Sequence, residues 1–288
     1  MLFQVHFYLG KSKLLTTAVL LMVITTVYSF TCPLESTSSD APKALNKETA
    51  SMPTEKEEPK TTHKTDQTVL KTVKKSDDVC KEKIVYSLDF AQKTDDDARK
   101  WLTDKGFKFE SDAKSQSKLS LAFANDSLVL NAKKQLFGLI INGNLHLDGA
   151  KKISITWGVD KHPKGASYEN GINNEAIMVY VYFGNKKLSS GNWFIPDSPY
   201  FIGLYLGETD KINKPFTGNH FEEGGRFICL ANPKSGEIIT SKFDLDKAFK
   251  ECFGKDKKVP FISGMALEVE TSSTGPSKGV IKKIDFLR

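Results

Sequence analysis

Four carboxylates, Asp160, Glu175, Glu268 and Glu270, fall on or beside segments that alternate like β-strands. Two acids facing each other across a cleft can share the acid and nucleophile, or acid and base, roles of glycoside hydrolysis. The same groups can instead accept hydrogen bonds from sugar hydroxyls without any bond being cut. The stretch Phe261–Thr271 sets two of them in an unusual row. Phe261, Met265, Leu267 and Val269 share one face, and Gly264, Ala266, Glu268 and Glu270 share the other. Small residues leading to acids make a shallow polar trough, where an ordinary outer sheet face carries Thr or Lys. Trp193 lies in a loop among Gly and Asn and offers a plane on which a sugar ring could stack. Trp157 alternates with Ile153 and Ile155 and belongs to a core. The loop Lys161–Glu175 carries Asn173 and Asn174 just before Glu175, and ligand specificity is expected there.

Other chemistries find no support. The chain has no GxSxG elbow, Walker loop, HExxH or GxGxxG. Its five His are scattered, and His220 with Glu222 and Glu223 reads as a polar loop, so neither metal nor cofactor is expected. The net charge of +6 comes almost wholly from scattered Lys, with only Arg99, Arg226 and Arg288 as Arg. Nucleic-acid binders cluster these residues, so nucleic acid is not an expected partner. The four Cys (32, 80, 229 and 252) form no CxxC pair. Cys229 and Cys252 are the disulfide candidate, and two buried free thiols are the alternative.

The elements that must position these residues are strands. Lys151–Gly184 holds two long ones: an alternating run with Ile153, Ile155, Trp157 and Val159 inward, and the almost wholly apolar Ala176–Phe183, covered on both faces. Ile84–Phe90 opens the domain as a strand. Thr94 caps a short helix carrying Trp101 and Leu102. Lys118–Phe123, Ser127–Ala132 and Gln135–Ile141 follow, with hairpin turns expected at Asn125-Asp126 and Lys133-Lys134. Tyr200–Leu206 is a strand. Arg226–Leu230 and Glu237–Ser241 read as a hairpin across Asn232–Gly236. Asp244 caps a helix that ends at Gly254, and Phe261–Thr271 and Gly279–Leu287 close the domain. Many strands without regular helical crossovers predict an all-β, antiparallel β-sandwich of the jelly-roll kind with two short helices.

Ahead of it, Met1–Ser29 reads as a signal peptide or membrane anchor. Lys11 and Lys13 precede the uncharged apolar run Leu14–Tyr28. Ser29-Phe30-Thr31 before Cys32 is a poor lipidation signal. Residues 30–83 are Ser/Thr/Lys/Glu/Pro-rich and read as a disordered tether, leaving 84–288 as the folded domain. The expected location is outside the cytoplasm, periplasmic or cell-envelope associated or secreted, with membrane contact only through the amino-terminal segment.

The segment Phe249–Gly254, followed by Val259–Leu287 with its FISGMALEVETSSTG run, resembles the end of the bacterial family called domain of unknown function 3047. The Trp157 strand and Gly171–Phe183 resemble that family's Trp-rich strand and the apolar strand it opens with Gly-Asp-Asp. Here the paired Asp are replaced by Asn173-Asn174-Glu175, and the acidic turn by Glu270–Gly275. The resemblance implies an exported, galactose-binding-like β-sandwich and supplies no activity. The function expected is binding of a glycan or other cell-envelope ligand without catalysis. The alternatives are a polysaccharide hydrolase using a carboxylate pair, or a structural envelope protein that binds proteins. Asp160, Asn173, Asn174, Glu175, Trp193, Glu268 and Glu270 are the candidate ligand-binding residues.

Overall fold

A computed structural model describes residues 82–288, apart from residues 92 and 94–96. The targeting segment, the tether, Cys32 and Cys80 lie outside the described residues. Thirteen strands and two α-helices follow in chain order: β1 (Ile84–Asp89), α1 (Ala98–Asp104), β2 (Lys108–Ser111), β3 (Leu119–Ala124), β4 (Ser127–Ala132), β5 (Phe137–Asn142), β6 (Lys152–Lys161), β7 (Glu175–Leu188), β8 (Ser198–Leu206), β9 (Pro215–Phe216), β10 (Gly225–Ala231), β11 (Ile238–Asp244), α2 (Leu245–Phe253), β12 (Ile262–Glu270) and β13 (Ser277–Leu287). They form two sheets. The first runs β11-β6-β13-β4-β3, with β1 also on β13, and the second runs β2-β5-β12-β7-β8-β10-β9. This is a β-sandwich, antiparallel except where β8 and β10 run parallel.

The long strand β13 is the spine of the first sheet. One edge pairs with β6 along its length. The other is shared end to end, by β4 from Ser277 to Ile281 and by β1 from Lys283 to Leu287. The inner faces meet in one core. Ile153, Ile155 and Trp157 of β6 are buried there with Val179 and Val181 of β7 and Leu267 of β12. Trp157 is fully buried, and its indole N–H donates to Ser241 Oγ at 3.1 Å, which satisfies its one polar group. Helix α2 turns Phe249 into the same core against Phe183 and Tyr200. Asp244 caps it by accepting from Lys247 N at 2.8 Å.

Several local expectations change. Helix α1 is capped by Asp97, which accepts from Arg99 N and Lys100 N, so the helix begins later than Thr94. The Asn125-Asp126 hairpin forms, with both residues in the left-handed region that a tight turn of this kind requires. The other two expected hairpins do not form. Lys133-Lys134 carries the chain from β4 in the first sheet to β5 in the second, and Asn232–Gly236 carries it from β10 in the second to β11 in the first. Turn residues look the same whether the chain doubles back or crosses over. The disulfide candidate is overturned as well, because Cys229 and Cys252 are both free thiols. Cys229 points to the outward side of the second sheet, while Cys252 on α2 packs against the inter-sheet core. Among the described residues no helix is long and apolar enough to cross a membrane.

Candidate functional site

The outward face of the second sheet is where the predicted residues converge. Strand β12 alternates as its sequence predicts: Met265, Leu267 and Val269 enter the core, and Ala266 and Glu268 face out. Ser263 sits in an irregularity of the ladder that turns Ile262, rather than Phe261, into the core. On the neighbouring strand β7, Ile177, Val179, Val181 and Phe183 enter the core, while Met178 and Tyr180 face out. Strict alternation would send Glu175 inward with Ile177. A bulge prevents this. Glu268 pairs with Met178 but Glu270 pairs with Glu175, so β7 spends one extra residue across that step. The extra residue returns Glu175 to the outward face, beside Glu268.

Register then makes a furrow in the sheet that the side chains around it cover. Gly264 and Ala266 on β12 form its floor and are buried. Tyr182 and Tyr180 stand opposite them on β7, and Ile141 stands opposite Ala266 on β5. The two tyrosine rings are stacked, with centroids 5.9 Å apart and planes 10° from parallel. From Gly264 to Glu270 the furrow is about 20 Å long. Its far end holds three carboxyls.

Glu175 and Glu268 are almost completely buried on neighbouring strands of the outward face. Tyr168 OH donates to Glu175 Oε2 at 2.8 Å, and Tyr180 OH donates to Glu268 Oε1 at 3.0 Å. Glu175 Oε1 has no hydroxyl or N–H partner. Desolvation, followed by the nearby charges of Glu268 and Glu270, holds the Glu175 carboxyl well above the usual carboxylate range. Desolvation and the charge of Glu270 push Glu268 up to about 8, against the hydrogen bonds it accepts. Glu270 is half-buried and is also raised, chiefly by desolvation. The pair therefore keeps a proton at neutral pH.

A strap holds the cover over this pair. Tyr168 sits in a short turn closed by paired bonds between Ser167 and Ile172, each 2.9 Å, with Gly171 in the left-handed region (φ 74°). Its ring stacks on Tyr205 at 4.3 Å. Asp210, itself buried, accepts from Ser167 Oγ (2.8 Å), Tyr168 N (3.1 Å) and Tyr205 OH (2.8 Å). Outward rings of β8 and β10 complete a second apolar cluster beneath the strap. Gly203 is required there, because a Cβ would fall 2.5 Å from Met178 Sδ.

The remaining predicted residues are spread out. Asp160 lies on β6 in the other sheet and is ion-paired with Lys278 at 2.9 Å. Asn174 is buried and works on the fold: its Oδ1 accepts from Ser273 N and Thr274 Oγ1, pinning the turn after β12. Asn173 is partly exposed beside it. Trp193 is 86% exposed in the loop leaving the opposite end of β7 from Glu175, with its ring 3.8 Å from that of Phe194. Sequence reasoning missed Tyr168, Tyr180, Tyr205 and Asp210.

The chain matches no family model, and no curated protein is similar to it. Among solved structures it is similar to the potassium-bound carbohydrate recognition domain of Emp46p, at 14% identity and a TM-score of 0.38, covering 69% of this chain and 95% of that one. It is similar to the native family 12 xyloglucanase from Bacillus licheniformis, at 9% identity and a TM-score of 0.36, covering 72% and 99%. It is also similar to the agarase AgWH50C, at 10% identity and a TM-score of 0.31, covering 71% of this chain and 24% of that one, so it spans about a quarter of the agarase's length. The sandwich and the furrow stand on this chain's own strand pairing.

Proposed function

We propose that the outward furrow of the second sheet binds a glycan without cleaving it. One observation carries this reading: a row of small residues walled by paired tyrosines leads to carboxyls that a tyrosine strap keeps dry. Tyrosine rings offer apolar planes to sugar faces, and the carboxyls and phenols offer acceptors and donors to hydroxyls. An extended oligosaccharide would lie along β12, with its acid-contacting end at the half-buried Glu270 and the other end running toward the Trp193 loop. Export through the amino-terminal segment, membership of the domain of unknown function 3047 family and a cell-envelope location belong to the same proposal. They rest on Lys11, Lys13, the Leu14–Tyr28 run and the carboxyl-terminal motifs.

A second reading, polysaccharide hydrolysis, is favoured by the meeting of Glu175, Glu268 and Glu270 on one face with a proton retained among them. Against it, Glu175 and Glu268 are almost completely buried, whereas a hydrolase opens its carboxyl pair to the scissile bond and a water.

A glycan array probed with the protein tests both. Binding is expected to fall at least tenfold in Tyr182→Ala, and Trp193→Ala is expected to weaken long oligosaccharides but not short ones. No binding to any glycan, or binding indifferent to Tyr182→Ala, overturns the furrow. Release of reducing ends that stops in Glu268→Gln replaces binding with hydrolysis.

A further inference from the structure

The three carboxyls of the furrow lie together with no cation beside them. Several acids elsewhere meet lysines: Glu82 with Lys152 and Lys242, Asp112 with Lys118, Asp160 with Lys278, Glu169 with Lys214. Among the described residues no ion pair reaches Glu175, Glu268 or Glu270, and the charges that act on them are other carboxyls, with Asp112 beyond Glu270. This happens in a chain with 41 Lys and Arg and a net charge of +6. A positive group was available and none is placed there.

The second observation is the oxygen without a partner. Glu175 is 1% exposed, and its Oε1 has no donor from any hydroxyl or N–H. Burying a polar atom unpaired costs free energy that folding does not recover. The charges nearest to it are those of Glu268 and Glu270, which repel rather than compensate it, so the missing partner is a donor from outside. Among the described residues no three acidic, His or Cys side chains are arranged to hold a metal ion. An ammonium group asks for less strict geometry than a metal cage and brings three donors.

We infer that the glycan carries a free amino group, as a polymer of amino sugars does, and that its ammonium seats among Glu175, Glu268 and Glu270. The inference rests on the glycan reading of the furrow. Entry is from the Glu270 side, where the site is only half-buried. As the ammonium enters, one proton held by the carboxyls leaves to solvent, so one positive charge replaces another and the buried site gains no net charge. The tyrosine wall then receives the apolar faces of the sugar rings that follow. N-acetylation would remove the charge. A protein of net positive charge gains nothing from unspecific attraction to a polycation, so selectivity for the amine would come from this site.

The test is isothermal titration of the whole protein with three oligosaccharides of one length: a glucosamine oligomer with free amines, its fully N-acetylated form, and a neutral glucose oligomer. Spermidine and calcium chloride serve as two further titrants. The free-amine oligomer is expected to bind at least tenfold more tightly than the other two, with proton release seen as a heat that depends on the buffer. Glu270→Gln, at a half-buried position, is expected to close most of that gap, and Glu175→Gln to abolish the proton release. Circular dichroism melting reports whether each variant is folded. Equal binding of the three oligosaccharides overturns the inference and leaves the glycan reading standing. Binding of spermidine but of no sugar supports the cation seat and removes the glycan. Binding of calcium alone overturns the ammonium in favour of a metal. Binding of nothing overturns both.

Discussion

The two sheets turn very different faces to the outside. On the first, charges are matched and wet: Glu82 bridges Lys152 and Lys242, Asp285 accepts from Ser87 Oγ and lies 3.1 Å from Lys283, and Thr156 and Thr240 bond each other across strands. On the second, Glu175 and Glu268 are unmatched and dry, roofed by aromatic rings. Exposed pairs of the first kind are what a solvated sheet surface needs for solubility, and each contributes little to stability. The second arrangement opposes folding. Carboxyls are taken out of water with no cation to compensate them, and a whole strap is organised to keep them there. A fold under no other demand would have placed Leu or Thr at 175 and 268. The contrast identifies the second face as the one shaped by something other than stability.

The largest test of this contrast is pH. Glu268 is held up to about 8 when folded, against a value of 4.5 when exposed, and Glu175 shifts in the same direction. Between those values the folded protein keeps protons that the unfolded chain has given up. The contribution is therefore fully present below about pH 4.5 and is lost as pH rises through 8. Unfolding free energy, followed by urea titration, is expected to drop by on the order of a few kcal/mol from pH 5 to pH 8.5, each pKa unit being worth about 1.4 kcal/mol. Glu268→Gln should flatten the curve. A curve that rises over this range would mean that the acids are not buried as described.

The strap comes next. Asp210→Ala strands the hydroxyls of Ser167 and Tyr205 and the Tyr168 N–H. A loss of about 2–3 kcal/mol is expected for these buried donors, with faster amide exchange confined to residues 167–172 and their partners. If exchange rises across both sheets instead, the strap is part of the core and the two faces are less distinct than drawn here. The smallest effect belongs to the first face. Lys278→Ala removes the exposed partner of Asp160 and should cost less than about 1 kcal/mol. A cost matching that of Asp210→Ala would erase the comparison.

How much of this was legible in the sequence depended on whether the signal was local. The alternation of Ile153, Ile155 and Trp157 foretold a buried tryptophan, and the parity of β12 foretold outward Glu268 and Glu270. Asp244 and Gly254 marked α2 almost to the residue. Glu175 stands out in the sequence for its chemistry, but its direction does not, because a bulge is set by two strands together and leaves no mark in one. Tyr180 hid in an apolar run that reads as covered on both faces. It is covered, but on one side by the chain's own strap rather than by a sheet. Asp210 sits in a long polar loop, where nothing separates an acid that anchors a turn from one that faces water. The crossings at Lys133-Lys134 and Asn232–Gly236 were misread because turn residues encode a change of direction and not a choice of sheet.

The spine strand β13 also bears on time. It is the sole link between β6 on one side and β1 and β4 on the other, and its register joins Ile84 to Leu287. Until β13 emerges from the ribosome, the first sheet exists only as pieces: a β3–β4 hairpin, a β6–β11 pair and a solitary β1, each with an open edge. Contacts spanning nearly the whole domain make closure slow, and open edges in the interval invite pairing with other chains. A nascent chain of this domain therefore spends its most vulnerable period waiting for β13.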